Sequence, residues 1–99
     1  MDKVESKRAV KAFLPPARRI VNKADPLDLL KMGAAKDEYD NLVAEAARWL
    51  ASGVPDFDQR LTTFVRSHYG LPPDRARMTK LAAELRAEWS RAARASGSA

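Results

Sequence analysis

Apolar residues recur along this chain at steps of three and four and never alternate for long, so the pattern predicts helices and no strands. The broadest stripe is Tyr39, Leu42, Val43, Ala46, Trp49 and Leu50, with Gly53 placed to close the helix. A second face is made by Phe57, Leu61, Phe64, Val65 and His68, and Gly70 ends it. Asp56 is its expected N-cap, with Gln59 three residues on, a capping box with Asp in place of Ser or Thr. A third stripe runs through Met78, Leu81, Ala82, Leu85, Trp89 and Ala92. Pro72-Pro73-Asp74 leads into this last helix, which is expected to reach about Arg94. Residues 95–99 have nothing to bury and are expected to form a disordered tail.

The N-terminal third is more broken. A helix from about Asp2 to Phe13 would place Val4, Val10, Phe13 and Leu14 on one face. Pro15-Pro16 is expected to interrupt it, because Pro15 lacks a donor and pushes Leu14 out of helical geometry. A short second segment then runs through Lys23, with Ile20 and Val21 buried. Asp25 reads as an N-cap and Pro26 as a first helical residue. Leu27, Leu29, Leu30 and Met32 give a short helix that Gly33 ends, and the next helix is expected to start near Asp37 or Glu38. Carboxylates there would meet the positive end of the helix dipole, worth about 0.3 to 1 kcal/mol each. The expectation is an all-α single domain over residues 1–94. It is a compact bundle of three main amphipathic helices plus two or three shorter helical segments.

Ninety-nine residues suffice for one core without metal or disulfide staples, and there is no cysteine to supply either a bridge or a thiolate. The opening residues lack the apolar stretch of a secretory signal, and no apolar run could span a bilayer. The expected location is the cytoplasm. Net charge is +5 but unevenly spread. Residues 1–24 carry seven basic and two acidic side chains, whereas residues 25–45 carry two basic and six acidic ones. A negative bend therefore sits between basic ends.

That bend carries a resemblance. Asn22-Lys23-Ala24-Asp25-Pro26-Leu27, followed by Gly33-Ala34-Ala35-Lys36-Asp37-Glu38-Tyr39-Asp40, resembles the YugE-like family of small bacterial proteins of unknown function. Ala35 stands where that family tends to have Pro, and Asp28 where it often has Gly. The resemblance implies an all-helical fold and leaves function open.

The acidic bend is also the first candidate site. Asp28, Lys31, Asp37, Glu38 and Asp40 form the expected partner-binding surface, for another protein and one of basic character. An EF-hand register is absent, so capping and charge neutralisation compete with any metal reading. Tyr39 begins an apolar stripe and is expected in the core. Ser67-His68 is no dyad, because neighbours on a helix point about 100° apart. Glu84 and Glu88 read as a solvated face with Lys80, Arg91 and Arg94. No catalytic residue, cofactor or metal is expected, and the chain reads as a non-enzymatic regulatory adaptor or immunity-like module. The alternative is a nucleic-acid-binding module. It would use Lys7, Arg8, Lys11, Arg18, Arg19 and Lys23 with the arginines of the last helix.

Overall fold

The structure is a computed structural model that describes residues 2–97. Its described residues form four helices and no strand: α1 Lys3–Ala24, α2 Asp40–Ser52, α3 Phe57–Tyr69 and α4 Arg75–Gly97. The all-α expectation stands, while the division into three main and several shorter helices is replaced by two long and two medium ones.

The largest departure is in α1, which runs unbroken through Pro15 and Pro16. Two amide donors to the preceding turn are missing there, and the local rule counts that loss alone. It does not count Ala9, Phe13, Ala17 and Val21, spaced four apart on both sides of the prolines and all fully buried. Burying that continuous face holds the helix together, and Lys11 and Ala12, whose carbonyls lose those donors, are exposed residues. The small residues Ala9 and Ala17 lie in this face, where large apolar residues had been expected. Of those, Val4 is 58% exposed and Leu14 36%. Asp2 caps the helix, its carboxylate accepting from the Glu5 N–H at 2.8 Å.

Each helix runs antiparallel to the next. α1 packs along α4 and α2, α3 packs along α2 and α4, and α2 meets α4 across the middle. The α1–α4 pairing is the longest. Gly97 sits against Glu5, the Phe13 and Trp89 rings meet edge to face at 5.6 Å, and Ile20 and Leu81 line one hollow. The core is completed by Tyr39 with Leu42, Val43 and Ala46 of α2, Phe57, Leu61 and Val65 of α3, and Met78, Leu81, Ala82, Leu85 and Ala92 of α4. Trp49, Phe64 and Trp89 are half-buried and stack edge-on at its rim.

Three smaller expectations are corrected. Residues 26–33 form consecutive turns and no helix. Asp56 occupies the N-cap position of α3 without capping, since its carboxylate pairs with Arg60 Nε at 2.7 Å. α4 continues past Arg94 through Ala95, Ser96 and Gly97; Ser98 and Ala99 of the expected tail lie outside the described residues. Among the described residues, no helix is long and apolar enough to cross a membrane.

Candidate functional site: the acidic knuckle between α1 and α2

The loop 25–40 folds around one carboxylate. Asp25 ends α1 in the left-handed conformation, at φ 44°, and its N–H donates to the Val21 carbonyl at 2.8 Å. That turn swings its side chain back over the loop. Oδ1 accepts from the Leu30 N–H at 3.1 Å and from the Tyr39 hydroxyl at 2.6 Å, and Oδ2 accepts from the Lys31 N–H at 2.9 Å. The Tyr39 hydroxyl in turn accepts from the Leu27 N–H at 3.1 Å. Asp25 therefore caps the loop from its C-terminal position on α1, and the expected N-cap role belongs to no helix.

Three distant side chains pin the same loop. Arg77 of α4 donates from Nη1 to the Asp25 carbonyl at 3.0 Å and to Asp28 Oδ1 at 2.9 Å. Asn22 Nδ2 donates to the Lys36 carbonyl at 3.1 Å, and the Tyr69 hydroxyl donates to the Glu38 carbonyl at 2.9 Å. None of the three was singled out from sequence. Asn22 stands in the quoted motif, but nothing in the sequence pointed to Tyr69 or Arg77 as partners of this loop. Pro26 is buried, and Leu27, Leu29 and Leu30 pack on the core's edge. Between Asp25 and Ala34 every backbone N–H has a partner, so this half of the loop is a built element.

Burial pushes the Asp25 carboxyl up, but the bonds from Tyr39, Leu30 and Lys31 and the nearby Arg77 charge outweigh it. The group stays below the usual carboxylate range. Tyr39 is raised above the usual phenol value, first by burial and then by its bond to Asp25. Tyr69 is pushed up to about 12 by burial and by the charges of Glu38 and Asp40. These are the chain's two tyrosines, and both hydroxyls hold the knuckle. In the unfolded chain they ionise near pH ~10. Their folded-state values lie higher, so the stability they confer is complete below pH ~10 and is lost as pH rises toward 12. An alkaline titration followed by phenolate absorbance and far-UV circular dichroism should show both tyrosines ionising together with loss of helix. Ionisation near pH ~10 with helicity intact would contradict the network.

The five residues expected at a partner surface divide into two groups. Asp28, at φ 57°, is tied to Arg77, and Asp40 to Arg18 at 3.1 Å. Asp37, Glu38 and Lys31 are exposed, and their side chains make no hydrogen bond or ion pair among the described residues. Asp37 and Glu38 do not open a helix. They lie in a turn ahead of α2, because Tyr39 must face inward toward Asp25 before the helix can begin at Asp40. The same loop carries Met32, 71% exposed, the most exposed large apolar side chain described.

Of the other candidate groups, His68 adjoins this site, its ring meeting that of Tyr69 edge to face at 4.8 Å. His68 is exposed in the last turn of α3, stacked on Phe64 at 4.9 Å, with Nε2 3.4 Å from Asn41 Nδ2. Glu88 pairs with Arg91 at 3.5 Å. Among the described residues, no group of three or more His, Cys, Asp or Glu could hold a metal ion. Neither a protein family, nor a curated protein, nor a solved structure matches the chain.

Proposed function

We propose that this chain is a non-enzymatic cytoplasmic module, a regulatory adaptor or immunity-like protein, that binds another protein through the outer surface of the 25–40 knuckle. One observation carries the reading. The loop's backbone is fixed from within by Asp25, Tyr39 and Arg77, yet the side chains of Met32, Asp37 and Glu38 are exposed and make no hydrogen bond or ion pair among the described residues. A loop ordered in advance loses little freedom on binding. An exposed methionine suits an adaptable apolar anchor, and flanking carboxylates would orient a basic partner. Asp28 and Asp40 contribute through the ion pairs that shape the loop, and Lys31 marks its edge.

Part of the basic charge that suggested nucleic acid, chiefly that of the last helix, is already engaged. Arg18, Arg77, Arg86 and Arg91 pair with Asp40, Asp28, Asp58 and Glu88. The left-handed backbone at Asp28, where the YugE-like family often has glycine, supports the resemblance at that position.

The test uses the full chain as bait in extracts of its source cells. A variant carrying Met32→Ser, Asp37→Lys and Glu38→Lys should keep its helicity and lose about tenfold or more of the enrichment of proteins captured by the wild type. Equal enrichment by both baits, or no enrichment by the wild type, would remove the knuckle as a contact surface.

A further inference from the structure

A second surface, independent of the knuckle, lies in the seam between α1 and α2. Two hollows of about 420 and 530 Å³ share Leu14 and Ala44 and so form one groove. The floor is apolar: Val10, Leu14, Val43, Ala44, Ala47 and Ala51. The groove extends from Ser6 to Arg19 of α1, a length of roughly 20 Å at helical rise. Three alanines on α2 keep its wall low enough for a further helix to approach.

The rim has one sign of unspent charge. Leu14 and Arg18 line the groove, and Lys7 and Lys11 stand on the same stripe of α1, at steps of four, three and four. Both lysines are exposed and make no ion pair among the described residues. Arg48 borders the other side. Asp40 and Glu45 offset Arg18 and Arg48, their ion-pair partners, so the uncompensated charge at the rim is that of Lys7, Lys11 and Arg19. Any occupant must then bring apolar residues for the floor and negative charge for the edges. Nucleic acid satisfies only the edges. A helix with apolar residues at i, i+3, i+4 and i+7 and acidic flanks satisfies both.

We infer that the α1–α2 groove is a docking site for an acidic amphipathic helix of a partner protein. The two surfaces then have opposite electrostatic preferences, and the module can hold two partners at once.

The probe is a synthetic amphipathic peptide of about 16 residues, long enough to span the groove, with a leucine stripe and glutamate flanks. Its controls are the same stripe with lysine flanks and a scrambled sequence. Fluorescence anisotropy on the full chain at about 150 mM salt should show saturable binding of the acidic peptide alone, with a Kd on the order of 10 µM. Amide shifts in NMR spectra should cluster on the floor residues. Ala44→Glu changes an exposed position in the floor and should weaken binding by about tenfold or more, as should Lys7→Glu with Lys11→Glu. Asp37→Lys with Glu38→Lys should leave peptide binding unchanged, which separates this site from the knuckle. Four results would each overturn the assignment. They are equal binding of acidic and basic peptides, binding indifferent to Ala44→Glu, tighter binding of duplex DNA or phosphatidylglycerol vesicles in competition with the peptide, and a dimer of this chain that Ala44→Glu dissolves.

Discussion

Phe13→Ala and Leu85→Ala should each cost about 2 to 5 kcal/mol, with Phe13→Ala at the upper end. Both side chains are fully buried, and Phe13 also loses its edge-to-face partner Trp89. A chain of this length has roughly 5 to 15 kcal/mol in hand, so either change consumes a large part of it. Urea unfolding followed by circular dichroism reads the effect as a lower midpoint at unchanged slope. Phe13 is the more telling of the two. It precedes the proline pair by two residues, and the buried face of α1 is what carries the helix across those prolines. If Phe13→Ala lost less than about 1 kcal/mol, packing could not be the reason α1 continues through Pro15 and Pro16.

The second large effect is at Asp25. Asp25→Ala should lose about 2 to 4 kcal/mol, because it removes a carboxylate that accepts three hydrogen bonds. It also places a residue without local hydrogen bonding in the left-handed region at φ 44°. Tyr39→Phe should lose about 1 to 3 kcal/mol by leaving the Leu27 N–H and the Asp25 carboxylate short of a partner. Both changes break one network, so the double variant should lose less than the sum of the two by about 1 kcal/mol or more. Strict additivity would show that the two groups act separately. The acid dependence has a definite sign. Asp25 has a lower pKa folded than unfolded, so its contribution is present at neutral pH and lost as pH falls through the depressed value. Asp25→Ala should flatten that part of the acid-stability curve.

The helical periods of α2, α3 and α4 were legible because their determinants are local. Leu42, Val43 and Ala46 recur within one helix, and Gly53 and Gly70 close theirs in the left-handed conformation, at φ 69° and 73°. The knuckle was legible as a place and not as a mechanism. Asp25-Pro26 has the signature of a helix start, but its carboxylate is claimed by Tyr39, fourteen residues on. The Asp25 carbonyl is claimed by Arg77, fifty-two residues on. Such partners have no signal in the adjacent sequence. The proline pair misled for the same reason: its cost is local and its compensation comes from α4. Lys7 and Lys11 were legible as basic residues. That they edge an apolar seam depends on where α2 lies, which no single-helix pattern contains.

The antiparallel pairing of α1 with α4 has a consequence for how the polypeptide matures. α1 is made before the other three helices of the bundle, yet its most extensive packing is against the fourth, α4. With two amides missing at its centre, α1 has little autonomous helicity to sustain it in the interim. α1 therefore gains its main packing surface only once α4 has been made, and a chain cut before Arg75 lacks that surface altogether.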